Sequence, residues 1–187
     1  MKTISRIPAP PAALPGDDPL VEVVDGTDRS LAALPLSVVH EQFLPHRSVV
    51  VLLYGQGNRI WLQKRSKRKA RYPGRWDVST KGHVLLGEAA QDAAVRKIRA
   101  ELGLPADKLK RTSELPAGPE TAFENVTVFS MGRLGREPEP DPREVEEGYY
   151  YTSEELSYLV REFRELLTPQ LLNMWESDQL FPAWDTL

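Results

Sequence analysis

Strand-like runs that alternate with helical stripes, along a chain of domain length, agree with an α/β protein. Three observations carry this. Apolar runs such as Ser48 to Leu53 end in glycine-marked turns, here Tyr54-Gly-Gln-Gly-Asn58. Glu88 to Leu102 reads as a helix that stops at Gly103. Thr152-Ser-Glu-Glu155 is a capping box, the start signal of another helix.

Taken in order, Val21 to Val24 is a strand entering a turn at Asp25-Gly26, and Ser48 to Leu53 is a strand with Arg59 to Gln63 as its hairpin partner. Lys64 to Arg75 is a basic loop containing Pro73-Gly74; it holds seven lysines or arginines and no acid. Asp77 to Ser79 is a short strand. In the helix that follows, about 100° per residue places Lys97 and Glu101 on one face, flanked by Ala90 and Ala94, with Ile98 and Leu102 turned toward the core. Small neighbours around two charged groups leave room for a ligand; the plainer reading is a solvated i,i+4 pair. Asn125 to Met131 and Gly148 to Tyr151 are further strands. Leu156, Leu159, Val160, Phe163, Leu166 and Leu167 form a helical apolar stripe expected in the core, and Thr168-Pro169 opens one more helix.

Composition narrows the function classes. With 187 residues and 41% hydrophobic residues the chain can bury a core as one domain. A net charge of -3 exerts no global pull on nucleic acid or membrane. There is no cysteine, hence no disulfide framework and no thiol nucleophile. Met1 to Gly16 carries Pro8, Pro10, Pro11 and Pro15 without an apolar run, so it reads as a loose tail and not a signal peptide. No segment has the length and apolarity of a membrane span, and the default location is cytoplasmic.

The chemistry concentrates after Gly82. The chain reads Gly82-His83-Val84-Leu85-Leu86-Gly87-Glu88, then seven residues, then Arg96-Lys97-Ile98-Arg99-Ala100-Glu101-Leu102-Gly103-Leu104. This spacing resembles the Nudix box, the loop–helix–loop that binds metal and diphosphate in Nudix enzymes. Gly82, Glu88, Arg96, Ile98, Glu101, Gly103 and Leu104 fit the box, while Lys97 and Ala100 stand where acidic residues are usual. The stretch is similar above all to the branch of type 1 isopentenyl-diphosphate isomerase and related Nudix hydrolases, whose box also begins Gly-His and can read R-R-x-R-x-E-L-G. His46-Arg-Ser-Val49, Gln63-Lys-Arg-Ser66 with Lys69, Tyr72-Pro-Gly-x-Trp76, Phe123-Glu-Asn125, Glu144-Val145 and Thr168-Pro169 extend the likeness over Val21 to Trp175.

The resemblance implies a Nudix fold, a mixed β-sheet sandwiched between helices (α/β/α), with residues 1–20 as a Pro-rich tail and 21–187 as a single domain. It implies Mg²⁺ or Mn²⁺ as cofactor. One metal site would fall on His40, His46, His83 and Glu124; from spacing alone these three histidines, the only ones in the chain, read as unrelated polar residues. Imidazole and carboxylate suit Mn²⁺ or Zn²⁺, and Mg²⁺ at high concentration. Glu101 would hold a second, substrate-linked Mg²⁺, with Glu88 as a further metal ligand. Arg65, Lys69 and Lys97 would neutralise the diphosphate, and Glu124 or Glu144 would polarise water. Two departures weigh against isomerisation: Lys81 replaces the catalytic cysteine, and Val126 replaces the second glutamate of the Glu-Asn-Glu segment. Val126 cannot transfer a proton.

The expected function is a divalent-metal-dependent hydrolase of a diphosphate-linked small molecule. The first alternative is a metal- and diphosphate-binding sensor without turnover; the second is an isomerase with altered chemistry. Nucleic-acid binding by the basic loop ranks last, and the oligomeric state stays open.

Overall fold

The computed structural model describes residues 18–106, 109–133 and 135–181. Most of the expected Pro-rich tail, residues 1–17, therefore lies outside the described residues.

The fold is organised by β3 (His46–Tyr54), in which every residue but Arg47 is buried. Such a strand must be covered on both faces. Its odd residues Val49, Val51 and Leu53 pack against Ala93, Ala94, Ile98 and Leu102 of α2 (Ala90–Leu102). Its even residues Val50, Leu52 and Tyr54 pack on the opposite side with Leu156 of α3 (Ser153–Glu162) and Leu171 and Met174 of α4 (Pro169–Glu176). The alternation follows from the two-residue period of a strand, and it produces the expected α/β/α layering. Each fully buried aliphatic side chain contributes roughly 1.5–3 kcal/mol relative to exposure.

The sheet is mixed. β8 (Glu124–Arg133) runs parallel along one edge of β3, with β7 (Lys110–Leu115) antiparallel outside it. β1 (Leu20–Val24), β6 (Thr80–His83) and β4 (Ile60–Arg65) share the other edge, all antiparallel. β2 (Ser30–Pro35) pairs with β1, while β5 (Trp76–Asp77) and β9 (Val145–Tyr151) pair with β4. α1 (Leu36–Glu41) buries Val39 against Val21 and Val23 of β1.

Several sequence expectations are refined. The helix begins at Ala90, not Glu88, because the cap residue Ala89 is extended, with φ -80 and ψ 150. Gly103 ends it at φ 62 as expected. Gly82 and His83 belong to β6, paired with Val49 and Ser48, so the loop into α2 runs over 84–89. In place of one strand over Asp77 to Ser79 there are two, flanking Val78 and Ser79. The apolar stripe after Thr152 is only partly core: α3 stops at Glu162, the chain tightens into a 3₁₀ turn, and Phe163 and Leu166 are 39% and 43% exposed. Both foreseen caps form, Thr152 with Glu155 and Thr168 with Leu171. β2, β7 and α1 were not legible: the two strands are mostly exposed edges without clean alternation, and α1 has only six residues. Among the described residues no helix is long and apolar enough to cross a membrane.

Candidate functional site

Strand register assembles a donor cluster at one end of the sheet. His46 opens β3 and lies opposite Glu124, the first residue of parallel β8. His83 ends β6 and lies opposite Ser48, one pleat further along β3. His40 comes from the last turn of α1. The ligand atoms of these four residues all lie within 4.8 Å of one another. His40 Nε2 is 3.1 Å from His83 Nε2, and His83 Nε2 is 3.4 Å from Glu124 Oε1.

The donor set fits a divalent cation. His46 Nδ1 donates to the Leu44 carbonyl at 2.9 Å, which leaves the Nε2 lone pair as a ligand. That Nε2 is buried and has no hydrogen-bond partner among the described residues. Burial, then the adjacent His83 and His46 imidazoles, depress His40 to about 4. Burial also lowers His46, against the opposing Leu44 hydrogen bond. Burial alone would raise Glu124, but the hydrogen bond and charge of His83, with the charge of Lys81, outweigh it and bring it to about 2. At neutral pH His40 and His46 are therefore neutral donors beside an ionised carboxylate, which are the states a metal requires.

Beside this cluster lies a cavity of about 270 Å³ that His40, His83 and Glu124 help to line. Lys69, Arg71, Lys81 and Lys97, together with Arg65, give the same cavity a cationic wall. Glu101, on the buried face of α2, organises two of them. Its Oε1 is 2.5 Å from Lys97 and 3.9 Å from Lys69, and its Oε2 accepts the Thr80 hydroxyl. Lys97 lies over Gly82, where an added Cβ would sit 2.6–2.9 Å from its stem carbons. Gly82→Ala is therefore expected to displace Lys97 and to lower kcat/KM roughly tenfold to a hundredfold, with the melting temperature nearly unchanged. Steady-state kinetics beside a thermal melt checks this; unchanged kinetics would show that the placement of Lys97 is immaterial.

The other sequence candidates occupy distinct positions. Arg65 lines the cavity, but its guanidinium is engaged by Asp77 at 3.0 Å and by the Arg71 carbonyl, so it closes the basic loop. Glu144 stands behind Lys69 and ion-pairs with it; burial would raise this carboxyl, but Lys69 and then Lys97 hold it low. Glu88 is apart from both groups. Its oxygens take a bidentate ion pair from Arg96, at 2.7 and 2.8 Å, together with the Leu85 N–H, so it braces the loop and lies outside the His40, His46, His83 and Glu124 cluster. Outside the cavity the basic loop is partly neutralised, Lys64 by Glu147 and Lys67 by Glu146. Val126 is sealed in the α3/α4 core, so no proton-bearing side chain stands there.

Three site features were not singled out from the sequence. Arg71 sat unranked within the basic loop. Asp77 is wholly buried; its Oδ2 meets Arg65 and Lys81, at 3.0 and 3.3 Å, and its Oδ1 accepts Thr168 Oγ1 at 2.7 Å. The i,i+4 spacing of Asp77 and Lys81 was its only trace. Gln170, on the first turn of α4, had none.

Comparison with known proteins bears on the family and the fold. An uncharacterized Nudix hydrolase of Pseudomonas aeruginosa is 38% identical over 88 residues, 47% of this chain and 52% of that relative, so the match spans about half of each protein. A protein of Cutibacterium acnes named isopentenyl-diphosphate Delta-isomerase is 29% identical over 178 residues, 88% of this chain and 87% of the relative. Among solved structures, a Deinococcus radiodurans protein superposes with a TM-score of 0.69 at 21% identity, over 77% of this chain and 90% of that one. The NUDIX domain profile matches residues 44–171, which takes in β3, the box, α2, β8 and the start of α4; the chain belongs to the Nudix family.

Proposed function

We propose that this chain is a divalent-metal-dependent hydrolase of a diphosphate-linked small molecule. The observation that carries the reading is that one cavity joins the His40, His83 and Glu124 donors to a wall of Lys69, Arg71, Lys81 and Lys97. Mg²⁺ or Mn²⁺ fits the cluster of His40, His46, His83 and Glu124, where it would supply Lewis-acid polarisation of a phosphoryl oxygen. The chain's own residues do the remainder. The cationic wall holds and neutralises the diphosphate. Glu101 orients Lys97 and Lys69, and Thr80 orients Glu101. Glu124, an ionised carboxylate in the donor cluster, would polarise water together with the cation.

The sensor alternative draws on one observation: Lys97 already neutralises Glu101, so a cation at that carboxylate must displace an ammonium. Isomerisation fits less well, since Val126 is buried among hydrocarbon and Lys81 is held by Asp77. The deciding experiment screens nucleoside diphosphate sugars, dinucleotides, nucleotides and prenyl diphosphates with Mg²⁺ or Mn²⁺ for released phosphate or pyrophosphate, beside an isomerase assay. Metal-dependent release is expected. Metal-dependent binding with no turnover across the panel would favour the sensor, and isomerase activity would overturn the weight placed on Lys81 and Val126.

The metal assignment has its own test. His46→Ala removes the ligand whose Nε2 is buried and unpartnered. It is expected to weaken Mn²⁺ binding by more than the ~10–100-fold that loss of an outer partner costs. The free-Mn²⁺ electron paramagnetic resonance signal reads this directly. An unchanged affinity would move the metal away from the histidine cluster.

A further inference from the structure

The cations account for part of the cavity lining. The 3₁₀ turn Pro119–Thr121, the following Ala122, and Pro169 and Gln170 of α4 also line it. Gln170 is 7% exposed, and its amide Nε2 is buried with no hydrogen-bond partner among the described residues. A buried amide donor left unpaired is costly, so such a group calls for a partner that arrives. Glu120 and Thr121 line the cavity with Gln170, beside the apolar Pro119, Ala122 and Pro169.

The two parts of the lining are also linked. Thr168 caps α4 through the Leu171 N–H and donates its hydroxyl to Asp77 Oδ1. Asp77 in turn holds Lys81 and Arg65 through Oδ2. The start of α4, which carries Gln170 two residues beyond Thr168, is thereby tied to the carboxylate that holds Lys81 and Arg65.

We infer that Gln170 is a specificity-determining residue that hydrogen-bonds a hydroxyl or carbonyl on the group attached to the diphosphate, so the site selects a polar, hydroxylated diphosphate over a prenyl diphosphate. This rests on the diphosphate reading given above. The terminal amide offers a donor and an acceptor, and a hydroxyl satisfies either. A hydrocarbon chain satisfies neither and leaves the amide buried and unpaired. A site built to hydrogen-bond its ligand discriminates strongly against analogues lacking the polar group, whereas a merely apolar pocket discriminates weakly.

The test compares wild type with Gln170→Leu, a change that keeps approximate volume. Titration calorimetry with Ca²⁺ as the divalent ion measures binding of inorganic pyrophosphate, isopentenyl diphosphate, ADP-ribose and UDP-glucose. Wild type is expected to bind at least one of the two hydroxylated probes more tightly than isopentenyl diphosphate. Gln170→Leu is expected to weaken that probe by about tenfold or more, to leave pyrophosphate unchanged, and to leave isopentenyl diphosphate unchanged or tighter. Unchanged pyrophosphate binding shows that the variant has folded with its cationic wall intact. The inference is overturned if Gln170→Leu leaves the hydroxylated probes unaffected, if it weakens all probes alike, or if wild type prefers isopentenyl diphosphate. If wild type fails to bind even pyrophosphate, the diphosphate reading falls and this inference falls with it.

Discussion

Glu101→Gln is expected to reduce kcat/KM by about three decades, equivalent to ~4 kcal/mol of transition-state stabilisation. Glu101 is only 4% exposed, and its carboxylate is the shared contact of Lys97, Lys69 and Thr80. Glutamine keeps the shape but offers a single acceptor oxygen. If that oxygen faces Lys97, the amide N–H₂ faces Thr80, whose hydroxyl can rotate to accept. The fold therefore survives, but Lys97 loses its counter-charge, and any substrate-linked Mg²⁺ loses an anionic ligand. Kinetics on a substrate identified by the panel, with a thermal melt as control, measures the effect. Activity within tenfold of wild type would remove Glu101 from the catalytic machinery.

Asp77→Asn carries the largest expected loss of stability, about 3 kcal/mol, and with it a melting temperature lower by roughly 6–12 °C. Both carboxylate oxygens are used by donors, Oδ1 by the Val78 N–H and Thr168 hydroxyl, Oδ2 by Arg65 and Lys81. Asparagine must turn its N–H₂ toward one pair. Facing Arg65 and Lys81 it meets two cations; facing Val78 it meets a backbone N–H that cannot reverse. Burial would raise Asp77, but Lys81, Arg65 and Thr168 more than offset it, so the folded-state value is depressed. Its contribution is present above the unfolded carboxyl value of about 3.9 and is lost as pH falls through the lower folded value. Wild type is thus expected to lose stability in that acid window, with a shallower loss in the variant. Denaturant melts between neutral pH and acid test both statements. A variant as stable as wild type would show that the network is dispensable.

How much of this was legible follows from where each signal resides. The box spacing revealed α2 and its Gly103 stop because helix termination and helical periodicity are local properties. The partner set of Glu88 was not legible: a glutamate at a box position looks the same whether its oxygens face metal or, as here, Arg96 and Leu85. Arg65 likewise reads as one free cation in a basic run, yet most of its guanidinium is taken by Asp77 and Arg71. Edge strands β2 and β7 escaped notice because exposure removes the apolar alternation that marks a strand.

The sequence by itself determined the family through the box spacing, and through that resemblance the layered α/β plan and the inventory of candidate donors; the short-range periodicities agree with it. It held the three histidines 37 to 43 residues apart from one another or nearly adjacent, with nothing local to join them: His40, His46 and His83 come from a helix and two strands. Only the tertiary structure brought them together, because β3 pairs with β6 and β8 in a register that sets His83 and Glu124 beside His46. The same long-range pairing buried Asp77 between two cations and Thr168, and left the Gln170 amide without a partner. Hydrogen-bond satisfaction depends on groups far apart in the chain, so it is decided by packing and cannot be read from residue type.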